Sequence, residues 1–91
     1  MKIEFNEEKR LKTLQERGVD FKDAPAVLSD EERITFEDLR FDYGEKRFIT
    51  YGHLNGRLMC VIWTKRNDAV RVISMRKANE REQNRFAMVE R

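Results

Sequence analysis

The chain has 91 residues, 40% of them charged and 40% apolar, with a formal net charge of +2. That size predicts one domain spanning residues 1–91, with a modest core that gains from a partner, and the apolar share excludes a wholly disordered chain. No apolar run approaches the ~20 residues of a membrane span, no signal-peptide h-region is visible, and a lone cysteine, Cys60, with a lone histidine, His53, excludes an internal disulfide and an ordinary structural zinc site; a cytoplasmic location and no cofactor are expected.

Met1 to Phe5 reads as a short strand or lead-in. Asn6 is a good N-cap, Glu7 and Glu8 follow in the first turn, and Gly18 is a left-handed stop, so a helix is predicted over 7–17. Asp20 opens a second helix whose buried stripe is Phe21, Ala24, Val27 and Leu28. Pro25 removes a backbone donor there, a difficulty that eases if Asp23 is the cap. From Ile34 the period changes, and residues 34–41 suit a bulged strand or a loop. Asp42-Tyr43-Gly44 marks a turn. Lys46 to Leu54 alternates, Asn55-Gly56 gives the strongest short-range hairpin signal, and Arg57 to Lys65 runs apolar on both faces. A second turn at Asn67-Asp68 leads into Val70 to Arg76. Asn79 with Glu82 resembles a capping box for a last helix over about 80–90. The class is α+β: two N-terminal helices, a twisted antiparallel meander of three to four strands, and a C-terminal helix.

The two turns set a register. Leu54 pairs with Arg57, which places Phe48 opposite Trp63, Thr50 opposite Val61 and Gly52 opposite Met59. Arg66 pairs with Ala69, which places Trp63 opposite Val72, Val61 opposite Ser74 and Met59 opposite Arg76. One face then carries Ile49, Ile62 and Ile73 flanked by Tyr51, Cys60 and Met75, a core layer for the helices to cover. The other carries Phe48, Trp63, Thr50, Ser74 and Arg76, which suits stacking a base and holding a phosphate. The same residues also fit a second apolar layer under the last helix. A one-residue slip in either hairpin exchanges the faces.

Charge is unevenly divided. Residues 1–45 carry 8 Lys/Arg and 13 Asp/Glu, whereas residues 46–91 carry 11 and 4. Such asymmetry points to a polyanion or a complementary partner, or to halves that neutralise each other. No Walker loop, GxGxxG, HExxH or CxxC is present. Arg66, Arg71, Arg76, Arg81 and Arg85 form the best cluster, because guanidinium binds phosphate bidentately and stays charged. His53 near the hairpin tip has a reference pKa suited to a general base, or is simply a surface residue. Glu45 is an acid/base candidate or the ion-pair partner of Arg47. Cys60 reads as buried and inert. Five arginines in 20 residues do not by themselves distinguish RNA binding from a non-catalytic module that docks an acidic partner. A small metal enzyme fits poorly, since most acidic residues are N-terminal.

The order of motifs resembles the BrnT family of type II toxins, small ribonucleases of a RelE/ParE-like group. Ile3-Glu4-Phe5-Asn6 with Lys9 matches its opening, where Trp-Asp is usual. Arg17-Gly18-Val19-Asp20-Phe21 with Ala24 and Val27-Leu28 matches a segment that usually starts with His, and Asp30 follows where an Asp is usual. Glu45-x-Arg47 with Gly52, Val61-Ile62-Trp63-Thr64 with Arg66, and Arg71-Val72-Ile73-Ser74-Met75-Arg76-Lys77-Ala78 with Glu80, Arg81 or Glu82 complete the set over about 85 residues. The resemblance implies a toxin that cleaves mRNA without a metal and so inhibits translation and growth. It also implies a BrnA-type antitoxin with a ribbon-helix-helix domain, a heterotetramer built on an antitoxin dimer, and operator DNA bound only through the antitoxin. On that reading Arg76 and Arg66 hold the phosphate, Arg47 or Arg71 assists, and Glu45, His53, Glu80 or Lys9 moves protons. Ser74, Lys77, Arg71, Arg81 and Arg85 border the RNA, and Trp63 or Tyr51 stacks a base.

Overall fold

In the computed structural model, which describes residues 1–89, one five-stranded sheet runs in the order β1-β5-β4-β3-β2. The strands are β1 (Ile3–Glu4), β2 (Ile34–Glu37), β3 (Arg47–Leu54), β4 (Arg57–Arg66) and β5 (Ala69–Lys77). The helices are α1 (Glu7–Arg17), α2 (Ala24–Leu28) and α3 (Glu80–Val89). The α+β class is as expected, but two features differ. β1 pairs parallel to β5, so the sheet is mixed. The second N-terminal helix shrinks to α2, entered through a 3-10 turn at Phe21–Asp23 that Asp20 caps through the Lys22 N–H at 3.0 Å. Pro25 stands in the first turn of α2, where its missing donor has no partner to lose. Residue 90, in the predicted last helix, lies outside the described residues. Among those described, no helix is long and apolar enough to cross a membrane.

The first hairpin has the predicted register, from Leu54–Arg57 through Phe48–Trp63. Asn55 and Gly56 both take positive φ, 51° and 79°, which a two-residue turn matching the strand twist requires. The second hairpin starts as predicted, with Arg66 opposite Ala69 and Trp63 opposite Val72, and then departs. Ser74 faces Ile62 and Arg76 faces Cys60. Ile73 is an extra residue, a β-bulge that shifts the rest of β5 by one. Met75 thereby turns toward Val61, and Ser74 and Arg76 join the face of Ile49 and Ile62.

Coverage of the two faces is also the reverse of the expectation. The N-terminal helical segment covers Met59, Val61, Val72 and Met75, packing Val19, Phe21, Ala24, Val27 and Leu28 against them. Thr50 is buried on this side and links Thr35 Oγ1 (2.8 Å) to the Trp63 indole N–H (2.9 Å). Gly52 decides the matter. A Cβ there would overlap the Val27 carbonyl oxygen, so α2 rests on the sheet only where strand β3 has no side chain. The Ile49–Ile62–Ile73 face is left to α3 at one end and is half-open at the other.

α3 docks through Phe86, which packs with Leu58 and Ala78 beside Ile34 and Tyr51. Its start is fixed by the predicted capping box: the Glu82 N–H donates to Asn79 Oδ1 (2.8 Å) and the Asn79 N–H to Glu82 Oε1 (2.9 Å). Glu82 also accepts both arms of Arg76, at 2.7 and 2.8 Å, and the Tyr51 hydroxyl at 2.6 Å. Arg76, with help from Tyr51 and the Asn79 N–H, holds Glu82 down to about 2 against the upward push of burial.

Two outcomes follow from this packing. Gly52→Ala should destabilise the fold by about 2–3 kcal/mol, read as a lower urea midpoint at unchanged slope. The folded carboxyl of Glu82 titrates below its ordinary 4.5, so the folded state binds fewer protons and stability falls with acid. Its contribution is complete above about pH 4.5 and disappears as pH falls toward 2. Glu82→Gln should therefore lower the urea midpoint at pH 7 and flatten its dependence between pH 5 and pH 3; an unchanged slope would remove the clamp from the account.

Candidate functional site

The half-open end of the Ile49–Ile62–Ile73 face gathers four cations. Arg47 begins β3 and lies opposite Thr64, and Thr64 lies opposite Arg71 on β5, so these side chains share one face. Arg66 ends β4. Lys9 comes from the first turn of α1, where its N–H donates to the Asn6 cap at 2.9 Å. Lys9, Arg47, Arg66 and Arg71 line an open pocket of about 180 Å³ together with Asn6 and Glu45. Glu45 is the one carboxylate of the lining: Oε2 accepts Arg47 Nε at 3.0 Å and Oε1 lies 3.7 Å from Arg66 Nη2. Arg47 is further fixed with its guanidinium 4.1 Å from the centroid of the Tyr43 ring.

Four cations against one carboxylate leave this pocket strongly positive. Partial burial of the Lys9 ammonium, then repulsion from Arg47 and Arg71, lowers its pKa below the usual lysine value. Among the described residues, Arg71 has no ion-pair partner. Across the β1–β5 pairing from Arg71 stands Glu4, whose Oε1 is buried without a hydrogen-bond partner among the described residues. Three guanidinium groups and an ammonium form a donor set suited to a phosphate, with Arg47 the one held in place by Glu45 and Tyr43.

The other sequence candidates are placed elsewhere. Arg76 shares the face but lies roughly 15 Å along β5 from Arg71 at 3.3 Å per residue, and Glu82 holds its guanidinium. Tyr51 belongs to that same clamp. Ser74 is half-buried opposite Ile62, while Lys77 pairs with Met59, a residue of the covered face. Glu80, Arg81 and Arg85 are exposed on α3. Trp63 stacks on Phe48 with centroids 4.8 Å apart at the rim of the helix-covered core, on the opposite face from Arg71 and Arg76. His53 is six residues along β3 from Arg47, about 20 Å at 3.3 Å per residue.

His53 has a different set of neighbours. Its backbone N–H donates to Asp30 Oδ2, and its Nδ1 pairs with the same oxygen, both at 2.7 Å. Burial pushes the Asp30 carboxyl upward, but the backbone N–H groups of His53 and Glu32 and the His53 ring outweigh it and lower its pKa. Asp30, Glu32 and His53 bring one potential metal-ligating atom each within 4.8 Å of one another. Asp30 is already engaged in bracing the α2–β2 turn onto β3, with Oδ1 accepting the Glu32 N–H at 3.1 Å.

Sequence reasoning passed over Arg40 and Asp38. Asp38 is buried and accepts Arg40 Nε and Nη2, both at 2.8 Å, and the Tyr43 hydroxyl at 3.0 Å. The Arg40 guanidinium, more than any other group, holds the Asp38 carboxyl well below the usual range. This clamp shapes the loop that delivers Tyr43 and Glu45 to Arg47. Its signal was the Asp-x-Arg spacing at 38–40, which Asp38-x-Arg40 shares with many solvated loops.

No curated protein matches the chain. The family model described as ribonuclease toxin, BrnT, of type II toxin-antitoxin system matches residues 5–82. That span covers all three cluster arginines, Lys9 and Glu45, and most of the sequence. The chain belongs to the BrnT family of ribonuclease toxins of type II toxin-antitoxin systems.

Proposed function

We propose that this chain is a metal-independent endoribonuclease that cuts mRNA at the Lys9–Arg47–Arg66–Arg71 pocket and so arrests translation and growth. One observation supports it above the others: four cations from α1, β3, β4 and β5 and a single carboxylate meet on the sheet face opposite the one that residues 19–28 cover. The nucleophile is the substrate's own 2′-hydroxyl. Glu45 takes its proton as the oxygen attacks phosphorus. Arg47, Arg66 and Arg71 balance the charge that accumulates on the phosphoryl oxygens. The bond from phosphorus to the 5′-oxygen then breaks, and the Lys9 ammonium supplies the proton that the leaving oxygen requires. The products are a 2′,3′-cyclic phosphate and a free 5′-hydroxyl. A lysine with a lowered pKa suits the acid role better than an ordinary one.

Arg76 acts in this scheme through structure, since its fork is committed to Glu82 and fixes α3. Of the departures from the family's usual residues, Asn6 lies in the pocket lining, and the other two lie outside it. Phe5 packs edge-on against Phe21 with centroids 6.2 Å apart, Asn6 caps α1, and Arg17 lies exposed in the last turn of α1. The partner is a BrnA-type ribbon-helix-helix antitoxin, assembled as a heterotetramer around an antitoxin dimer, which binds operator DNA on behalf of the complex. Both act in the cytoplasm.

Arg66→Ala and Arg71→Ala should each lower kcat/KM on single-stranded RNA by about 100-fold, near 3 kcal/mol, without changing the unfolding midpoint by more than ~0.5 kcal/mol. Cleavage should persist in excess EDTA and leave cyclic phosphate ends; loss of cleavage on chelation would overturn the metal-free mechanism. In the pH–rate profile, activity should fall as pH rises through the lowered pKa of Lys9, and Lys9→Ala should lack that limb while keeping the acidic one.

A further inference from the structure

Residues 38–46 form the loop between β2 and β3, next to the cationic pocket. The loop carries two aromatic rings that belong to neither apolar core cluster. Phe41 is 70% exposed. Its ring meets Tyr43 edge-on, with centroids 5.8 Å apart at 73°. Tyr43 in turn lies against Arg47, whose guanidinium is 4.1 Å from the ring centroid. Arg47 lines the pocket. Two short contacts therefore join an exposed ring to a guanidinium of the pocket. A lone exposed apolar residue is ordinary; one wired in this way to a cationic site is a candidate part of it.

The loop is braced by its own polar groups. The Asp38 N–H donates to the Arg47 carbonyl at 2.7 Å and closes the neck. The Asp38 carboxylate takes the Arg40 guanidinium and the Tyr43 hydroxyl. The Thr64 hydroxyl donates to the Lys46 carbonyl at 2.6 Å and ties the far end to β4. Of the loop's carboxylates, Asp38 is balanced by Arg40 and Glu45 by Arg47. Asp42 has no cation partner among the described residues and accepts the Gly44 N–H at 3.0 Å. This bracing fixes Tyr43 while leaving Phe41 bare. A ring held in place before binding loses little freedom when a partner lands on it.

We propose that Phe41, with Tyr43 behind it, is a nucleobase subsite: an unpaired base of the RNA stacks on the Phe41 ring while a phosphate of the same strand occupies the Lys9–Arg47–Arg66–Arg71 pocket. The proposal rests on the ribonuclease reading for the identity of the polyanion. The two ring contacts together cover about the span from a phosphate to the base of a neighbouring nucleotide. An aromatic face accepts any base, so the subsite selects strand state rather than sequence. Bases inside a duplex are stacked on one another and cannot reach it. It takes the role that Trp63 and Tyr51 do not fill, since Trp63 is stacked on Phe48 at the opposite face and Tyr51 is bound to Glu82. Stacking depends on ring contact rather than charge, so Asp42 does not oppose it as it would a phosphate. Leu39, the loop's other bare apolar side chain at 79% exposure, has no ring contact to the pocket and serves as the control.

The test titrates a short single-stranded RNA, 2′-methoxylated throughout so that it cannot be cut, into wild type, Phe41→Ala, Phe41→Leu, Phe41→Trp and Leu39→Ala. Thermal unfolding should match in all five, because both side chains are mostly exposed. Phe41→Ala and Phe41→Leu should bind about tenfold more weakly, and Leu39→Ala within twofold of wild type. Phe41→Trp should keep wild-type affinity, and its added indole fluorescence should be quenched saturably by the RNA. A duplex of the same sequence should bind wild type and Phe41→Ala equally. Phe41→Ala affinity within twofold of wild type would overturn the proposal. So would an unquenched Phe41→Trp, full affinity in Phe41→Leu, or equal losses in Leu39→Ala and Phe41→Ala, the mark of a general apolar surface for a protein. A wild type that cuts ordinary RNA while Phe41→Ala cuts it equally well removes the subsite alone. Phe41-dependent binding without cutting by wild type leaves the subsite standing and removes the ribonuclease mechanism.

Discussion

One extra residue in β5 sets the chemistry of the molecule. In an unbroken strand, Arg71 and Arg76 have opposite parity and must lie on opposite faces. The bulge at Ile73 cancels that difference. Before it, Val72 faces the core and Arg71 the open side; after it, Met75 faces the core and Arg76 the open side. A regular strand would instead bury the Arg76 guanidinium opposite Met59 and expose Met75, which is costly for a core this small. The bulge thus lets one strand contribute two apolar residues to the core and two guanidinium groups to the same outer surface.

The two arginines then serve different ends. Arg71 joins Lys9, Arg47 and Arg66, where positive charge exceeds negative and a phosphate has a place to bind. Arg76 is balanced by Glu82, which also caps α3 and receives Tyr51. That clamp holds the last helix over one end of the open face and creates an apolar groove beside β2. The cationic pocket and the apolar groove thereby lie at opposite ends of one surface. Gly52 makes the assignment possible from behind, because α2 can settle on the far face only where β3 lacks a side chain.

Much of the fold was legible. Asn55-Gly56 and Asn67-Asp68 fixed two turns, and the first hairpin register followed residue by residue. Asn6 and Asn79 marked the starts of α1 and α3, since a cap needs only local hydrogen bonds. The covered face was misjudged because both faces are apolar over β3 and β4, and only the absence of a side chain at Gly52 distinguishes them. The bulge left no local mark, since Ile73 suits either a paired or an unpaired position. The parallel pairing of β1 with β5 joins residues almost seventy apart, beyond any local pattern. Of the site, Arg47, Arg66, Arg71, Glu45 and Lys9 were named and are found together. Arg76, His53 and Trp63 were named with them and are not, because their placement depends on the bulge, on the Asp30 brace and on which face the helices cover.

The central claim is that guanidinium groups from β3, β4 and β5 share one open surface and receive the RNA backbone there. Nitrogen-15 NMR of the arginine Nε–H groups tests it directly, with a short RNA whose 2′-hydroxyl is replaced by hydrogen at the cutting site titrated into the folded protein. The account predicts saturable shifts at Arg47, Arg66 and Arg71, with Arg17 on α1 unmoved. Shifts confined to Arg17, or to Arg81 and Arg85 on α3, with the three cluster resonances unchanged, would contradict it.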